Sequence, residues 1–167
     1  MLEKFFPDLT YNRVSEINLD LLKEKGIKGF ILDIDNTLVP NHAEADENAV
    51  RWMEKIQKEG FKVCIVSNAS KKRVIKFNER LKVNAIHRAS KPGSKAFKAA
   101  FKLMGLTSKE AVIVGDQIFT DIYGGKRVGI LTILVTPIDK KESVLIKLKR
   151  VGEKIVLKRY KKQLGTK

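Results

Sequence analysis

Short apolar runs alternate with longer amphipathic stretches along most of the chain. The apolar runs predict strands at residues 29–34, 61–66, 84–86, 111–115 and 130–135. The stretches between them predict helices at residues 46–59, 70–81, 94–104 and 117–128. All the strands except 84–86 are almost continuously apolar, as in parallel strands covered on both faces. The pattern therefore predicts a doubly wound, three-layer α/β sandwich with a mainly parallel sheet, in which ligands bind at the carboxyl ends of the strands.

The chain lacks an internal repeat and a Pro/Gly/Ser linker, so we expect a single domain over residues 1–167. A last helix is predicted at about residues 141–162. Val144, Leu148, Val151 and Ile155 form an apolar stripe on it, and Lys147, Arg150, Lys154 and Lys158 form an adjacent basic face. We interpret this helix as packed on the sheet through the stripe. Contact of its basic face with an anionic membrane is compatible with that packing.

The net charge of +15 predicts an affinity for polyanions, namely nucleic acid, anionic lipid or a phosphorylated substrate. More than half of the excess lies in residues 139–167, which contain eleven basic and three acidic residues. Residues 1–7 lack the apolar core of a secretion signal, and Cys64 is the only cysteine. We therefore expect a cytoplasmic protein, with peripheral contact to the inner face of the membrane as a further expectation.

Two pairs of carboxylates follow predicted strands. Asp33 and Asp35 end the first strand, and Asp116 and Asp121 follow the strand at 111–115. An Asx turn would explain Asp35, but it explains Asp33 less well, because Asp33 is still flanked by apolar residues. If the two strands are neighbours, these carboxylates converge, and only a cation would offset their repulsion. Oxygen ligands without nearby Cys or His favour Mg²⁺.

Two further turns offer groups that bind phosphate. Ser67 and Asn68 follow the strand at 61–66 and precede a helix, where backbone amides meet the positive helix end. Lys91 lies in the turn 89–93 before the next helix. Each residue alone is unremarkable in a turn, and the order of all four segments is what indicates a phosphate site.

That order resembles the four motifs of the haloacid dehalogenase (HAD) superfamily of phosphatases, whose fold is Rossmannoid. The motifs correspond to Asp33-x-Asp35-x-Thr37, Ser67, Lys91, and Gly115-Asp116 followed by Asp121. The resemblance implies that Asp33 is the nucleophile that forms an aspartyl-phosphate and that Asp35 is the general acid and base. It also implies that Ser67, the Asn68 amide and Lys91 bind the phosphoryl oxygens.

The same resemblance implies a Mg²⁺ site formed by the Asp33 carboxylate, the Asp35 main-chain carbonyl and the Asp116 carboxylate. Asp121 and Thr37 would support this site without binding the ion, and Asp121 would orient a metal-bound water or Lys91. The segments 38–45 and 68–89 are too short for a large cap domain, so the chain resembles the capless subclass IIIA. Capless members act on large substrates or close the site with a second subunit, which leaves a homo-oligomer open.

Within that subclass the chain resembles the YqeG family and its phosphatidylglycerophosphate phosphatase branch. The resemblance is carried by residues 27–29, 35–39 and 115–121 and by the basic C-terminal helix. It implies that the substrate is a membrane phospholipid. Two alternatives remain: a phosphatase of soluble metabolites or nucleic-acid ends, and a non-enzymatic RNA- or ribosome-binding protein. Nucleic acid is the weaker expectation, because the chain has few aromatic residues for base stacking.

Overall fold

A computed structural model of the protein describes residues 2–139 and 142–165. It contains a six-stranded sheet with the strand order β1-β6-β5-β2-β3-β4, in which every neighbouring pair is parallel. The strands are β1 (Leu9–Tyr11), β2 (Gly29–Leu32), β3 (Lys62–Val66), β4 (Asn84–Ile86), β5 (Ala111–Gly115) and β6 (Leu131–Val135). The three strands that precede the predicted site motifs, β3, β2 and β5, are therefore adjacent in the sheet.

Six α-helices connect and flank the strands. They are α1 (Leu19–Glu24), α2 (Glu47–Lys58), α3 (Lys71–Asn78), α4 (Lys95–Met104), α5 (Tyr123–Val128) and α6 (Val144–Leu164). The side chains of Asn18, Asp46 and Ser70 cap α1, α2 and α3 by accepting a backbone N–H from the first turn. Among the described residues, no helix is both long enough and apolar enough to cross a membrane.

Alternate residues of each central strand point to opposite faces of the sheet, and each face has its own core. Phe30 and Leu32 of β2 belong to the core formed with α1, α2 and α3. Ile31, between them, belongs to the second core, which includes Phe97 and Ala100 of α4. The continuously apolar strands are thus covered on both sides. The predicted doubly wound three-layer sandwich is confirmed, and no large cap domain occurs in the described residues.

The strand predictions agree with the structure to within two residues at each end, but β1 and α1 were not predicted. β1 has only three residues and lies at the edge of the sheet, where it pairs with β6 alone. The predicted helix at 117–128 is two elements, a π-helical turn at Ile118–Ile122 and then α5. π-helical segments of this kind are frequent at functional sites.

The prediction that α6 packs through its apolar stripe is wrong. Val144, Leu148, Val151 and Ile155, called the α6 stripe below, are 58–81% exposed. The helix packs through its opposite side, where Glu153 and Val156 are buried and Tyr160 contacts Phe6. The reason is that ionic contacts of Arg150 and Glu153 fix the orientation of the helix. Lys141, the first residue of the predicted helix, lies outside the described residues.

Candidate active site

The site lies at the carboxyl ends of β2, β3 and β5. The backbone N–H of Asp33 donates to the carbonyl of Val114, which continues the ladder between β2 and β5 by one residue. Asp116 follows the end of β5, and Ser67 follows the end of β3. Asp33, Ser67 and Asp116 are all buried. The order of strands thus brings together residues that are far apart in the sequence, as expected for a parallel sheet.

Lys91 is buried between two carboxylates. Its Nζ lies 2.8 Å from Oδ1 of Asp33 and 2.6 Å from Oδ1 of Asp121. Burial alone would lower the pKa of Lys91, but Asp121 and Asp33 together hold this pKa above its usual value. The lysine is therefore a permanent positive charge at the centre of the site.

Asn68 holds the loop that carries Lys91. Its Oδ1 accepts the backbone N–H of Lys91 at 2.7 Å, and its Nδ2 donates to the Lys91 carbonyl at 3.2 Å. The Ser67 hydroxyl oxygen accepts the N–H of Ala69 at 3.1 Å. These side-chain contacts give Asn68 a role that the sequence did not predict, namely positioning the loop of Lys91.

Asp33, Asp116 and Asp121 form a buried acidic cluster, with one oxygen from each lying within 4.8 Å of the others. Burial raises the pKa of the Asp33 carboxyl to about 6, although Lys91 lowers it in part. Burial, followed by repulsion from Asp33 and Asp121, raises the pKa of Asp116 to about 8, although Arg150 opposes this shift. Carboxylates packed in this way repel each other unless a proton or a cation is added. The cluster therefore fits a hard divalent cation such as Mg²⁺.

The acidic cluster requires a residue without a side chain at Gly115. A Cβ on this glycine would lie 2.2 Å from Cγ of Asp121. The backbone N–H of Gln117 donates to Oδ2 of Asp121 at 3.2 Å, which fixes this carboxylate beside the end of β5. The hydroxyl of Thr37 lies 3.4 Å from Oδ1 of Asp116. Thr37 and Asp121 thus contact the residues that they were predicted to support.

The carboxylate of Asp35 is not part of the acidic cluster and has its own partners. Its Oδ1 accepts the N–H of His42 at 2.8 Å and Nη2 of Arg73 at 3.0 Å. Arg73 lies in the first turn of α3 and was not predicted as a site residue. Its Nε is buried and lacks a hydrogen-bond partner among the described residues. Asp35 and Arg73 therefore line a separate side of the site, next to the acidic cluster.

Arg150 of α6 is the second site residue that the sequence did not indicate. It donates to the Asp116 carbonyl at 2.6 Å and also to the Asp116 carboxylate. Its other partners are Glu142, at 2.5 Å, and Glu153, at 2.8 Å. The sequence analysis placed Arg150 on an exposed basic face, whereas it is half-buried and paired. The spacing of Arg150 and Glu153 on one helix was the only signal available.

Asn36 links the first motif to the segment that precedes α6. Its Nδ2 donates to the Asp139 carbonyl and to a carboxylate oxygen of Glu142, both at 3.1 Å. Its Oδ1 accepts the N–H of Asp139 at 2.9 Å. Because Glu142 also binds Arg150, the loop of the first motif and α6 share one polar network.

A family model described as mitochondrial PGP phosphatase matches residues 2–139 of the chain. The chain belongs to this PGP phosphatase family. The match contains every predicted site residue from Asp33 to Asp121 and ends before α6. Arg150 and Glu153 therefore lie outside the residues that this family model matches.

Two relatives of this member of the PGP phosphatase family are also named as phosphatases. The chain is 39% identical over 165 residues to "Probable phosphatase YqeG" of Bacillus subtilis (strain 168), covering 98% of this chain and 96% of that protein. It is 31% identical over 167 residues to phosphatidylglycerophosphate phosphatase 1, chloroplastic/mitochondrial, of Arabidopsis thaliana. That match covers 92% of this chain and 47% of the plant protein, so the chain spans about half of this relative.

The fold is similar to the crystal structure of a HAD phosphatase from Thermococcus onnurineus. The TM-score is 0.51 at 24% identity, over 64% of this chain and 57% of that one. Together with the family match, this similarity confirms the resemblance to HAD phosphatases. The protein is therefore a phosphatase with a HAD-like fold.

Proposed function

We propose that the protein hydrolyses phosphate monoesters through a covalent aspartyl-phosphate on Asp33. The observation that carries this proposal is the position of Asp33. Its carboxylate lies at the end of a buried strand and accepts a hydrogen bond from Lys91, which would bind the phosphoryl oxygens. A carboxylate is costly to bury unless it is paired with a cation. Lys91 pairs with one oxygen of Asp33.

In the first step, a carboxylate oxygen of Asp33 attacks phosphorus and the bond from phosphorus to the leaving oxygen breaks. Asp35 donates a proton to that oxygen, so that an alcohol leaves. In the second step, Asp35 takes a proton from water, the water oxygen attacks phosphorus, and phosphate leaves Asp33. Arg73 and the His42 amide hold the Asp35 carboxylate in place, and from there it would face the leaving alcohol.

Lys91, Ser67 and the Asn68 amide would bind the oxygens of the transferring phosphoryl group, where charge develops during the reaction. Asp33, Asp116 and the Asp35 carbonyl would hold Mg²⁺, and Asp121 would hold Lys91 in place. Bound Mg²⁺ would supply a positive charge that offsets the carboxylates and the phosphate. The oxygen-only composition of the buried cluster supports this choice of metal.

The nucleophile is tested with the variant Asp33→Asn and the matched surface variant Asp20→Asn. We expect Asp33→Asn to abolish hydrolysis of an aryl phosphate in the presence of Mg²⁺ and Asp20→Asn to leave it unchanged. Acid quenching of the wild type with ³²P-labelled substrate should trap a label that hydroxylamine removes, as for an acyl phosphate. Wild-type turnover by Asp33→Asn would refute the assignment.

We further propose that the substrate is a lipid phosphate such as phosphatidylglycerophosphate. The name of the Arabidopsis relative supports this class of substrate. The lack of a large cap in the described residues leaves the catalytic edge accessible to a substrate held in a bilayer. The basic C-terminal segment would attract anionic lipid.

The substrate class is tested by comparing kcat/KM for four phosphate esters with Mg²⁺ present. The panel contains phosphatidylglycerophosphate in mixed micelles, glycerol 3-phosphate, a sugar phosphate and a 5′-phosphorylated oligonucleotide. We expect the lipid to be preferred by at least about tenfold. Preference for a soluble ester or the oligonucleotide would contradict the lipid proposal but not the chemistry. Tight RNA binding without hydrolysis of any ester would contradict both.

A further inference from the structure

The outer face of α6 exposes the apolar side chains that an amphipathic helix normally buries. The α6 stripe covers the first three turns of the helix, and Leu145 beside it is also exposed. The inward face carries Arg150 and Glu153, which bind the Asp116 loop. The helix is therefore oriented by its polar contacts, and its most apolar surface is left in contact with solvent. A continuous exposed apolar surface of this kind is typical of interaction sites.

The charges on the exposed surface of α6 are all positive. Its exposed cations near or beyond the stripe include Lys147, Lys154, Lys158, Arg159 and Lys161. In the part of the chain that the structure describes, none of these five forms an ion pair with a carboxylate. The helix contains one acidic residue, Glu153, which is buried and paired with Arg150. Lys158 and Arg159 thus accompany the α6 stripe on the outward surface, while Lys147, Lys154 and Lys161 flank it along the cavity that Asp116 and Arg150 also line.

We propose that α6 docks the protein on the surface of an anionic lipid bilayer, with the α6 stripe inserted among the headgroups. This inference deepens the proposed function, and its relevance to catalysis rests on the lipid substrate proposed above. An interfacial helix combines an apolar face with flanking Lys and Arg that attract anionic lipid. A bilayer satisfies both features of this surface at once.

Two other occupants fit the surface less well. A second copy of the chain packed on the same face would bring the two sets of lysines together and leave them without counter-charges. A nucleic acid would neutralise the cations but leave the α6 stripe in water. In addition, Tyr160, the aromatic residue of α6, contacts Phe6 and is not available to stack on bases.

Docking in this orientation would place the catalytic edge close to the bilayer. Arg150 lies on the side of the helix opposite the α6 stripe and contacts Asp116 directly. An α-helix with its side chains is roughly 10–12 Å across. A docked α6 would therefore hold the Asp116 loop about one helix diameter from the headgroups.

The test measures binding of the full chain to vesicles that contain no phosphomonoester. Asp33→Asn protein is used, so that catalysis plays no part in the result. We expect co-flotation with vesicles of phosphatidylcholine and phosphatidylglycerol (3:1), little with phosphatidylcholine alone, and a decrease in binding as the salt concentration rises. Blue-shifted emission from a fluorophore attached to the new thiol of Leu148→Cys would report insertion of the stripe.

Paired variants separate the α6 surface from general charge effects. Leu148→Gln with Ile155→Gln should lower the partition coefficient roughly tenfold or more. A triple variant should also lower the partition coefficient by at least this much, since each cation contributes about fivefold to it. It combines Lys147→Gln, Lys154→Gln and Lys158→Gln. The matched controls are on α4, which also exposes an apolar residue and lysines: Leu103→Gln, and Lys95→Gln, Lys98→Gln and Lys102→Gln together. The controls should retain most of the binding.

Three results would overturn the proposal. They are equal binding to neutral and anionic vesicles, equal losses from the α4 and α6 variants, and a dimer in light scattering that Leu148→Gln with Ile155→Gln converts to monomer. Hydrolysis of a soluble aryl phosphate, measured without lipid, reports the proposed chemistry separately. If the chain with its natural α6 hydrolyses the aryl phosphate but does not bind anionic vesicles, docking alone is refuted. If it binds the vesicles but does not hydrolyse the aryl phosphate, the chemistry alone is refuted.

Discussion

Lys91 is the residue on which the charge balance of the site depends. It pairs with Asp33 and Asp121 in a region closed to solvent, where an unpaired charge is strongly destabilising. These contacts give Lys91 two separable roles. Lys91 stabilises the folded acidic cluster, and it would bind the oxygens of the phosphoryl group. An exposed pair such as Lys28 and Glu110 has neither task.

We expect Lys91→Met to lower kcat by about 10²-fold or more, because it removes a donor to the developing charge. It should also lower the free energy of unfolding by about 3–5 kcal/mol, since two buried carboxylates lose their partner. Lys28→Met, which breaks an exposed pair, should cost about 1 kcal/mol or less. Urea denaturation and aryl-phosphate turnover provide the two measurements. Equal stability of the two variants would contradict this role of Lys91.

Arg73 and Asp35 form the residue pair on the outer side of the site. If Arg73 positions Asp35 for proton transfer, Arg73→Ala should lower kcat for an alkyl phosphate by about 10–10²-fold. An aryl phosphate, whose leaving group needs less protonation, should be affected much less. Lys72→Ala, an exposed neighbour on α3, serves as the control. Equal losses for both esters would exclude a role in protonating the leaving group.

At the element scale, the helix α6 is held by ionic contacts more than by apolar packing. Glu153 is buried and accepts the N–H of Ile118 at 2.7 Å, while it also pairs with Arg150. Arg150 in turn reaches the loop after β5. The apolar contacts of the helix are limited to a small cluster that includes Val156 and Leu157. Loss of the arginine should therefore release the helix.

We expect Arg150→Met to increase hydrogen exchange throughout α6 while the exchange of β2 and β5 stays unchanged. The reason is that Glu153 and Asp116 both lose a buried cationic partner. Lys149→Met, at an exposed position of the same helix, should leave the exchange of α6 unchanged. Mass spectrometry of peptic peptides after deuteration resolves these segments. Unchanged protection of α6 in Arg150→Met would show that apolar packing alone holds the helix.

The elements that could be predicted from the sequence are those with a strong local signal. The long apolar runs predicted β2, β3, β5 and β6, a weaker run predicted β4, and the four motifs predicted the residues that follow these strands. β1 was missed because Leu9-Thr10-Tyr11 has a polar residue at its centre and lies between polar residues, so that it forms no apolar run. The face of α6 was assigned wrongly because hydrophobic periodicity does not register ionic contacts. Arg73 and Arg150 were missed because their acidic partners lie 38 and 34 residues away in the chain.

At the scale of the whole molecule, the site places several acidic groups inside a protein whose net charge is +15. The surface charge and the buried charge therefore have opposite signs. A long-range positive potential attracts phosphate esters, while the acidic cluster would bind a metal ion and position the nucleophile. The acidic cluster also makes the stability of the whole fold depend on pH, because Asp33 and Asp116 are protonated more easily in the folded chain than in the unfolded one.

The sign of this dependence follows from the raised pKa values. In the metal-free protein the pKa of Asp116 is about 8 and that of Asp33 about 6, against about 3.8 for an unperturbed Asp. The folded state thus binds protons more tightly than the unfolded state. The resulting stabilisation is complete below about pH 4 and is lost as the pH rises toward 8. Asp116→Asn, which cannot ionise, should show a shallower decline of unfolding free energy between pH 5 and 8 in EDTA.

Magnesium should reverse this loss, because it binds the deprotonated carboxylates of the folded state only. We therefore expect Mg²⁺ to raise the thermal midpoint of the wild type more at pH 8 than at pH 5.5, and to raise that of Asp116→Asn much less at either pH. Calorimetry with and without EDTA gives both quantities. The shift of the thermal midpoint by Mg²⁺ could instead be independent of pH, or it could persist in Asp116→Asn. Either result would mean that the ion binds elsewhere and that protons alone neutralise the acidic cluster.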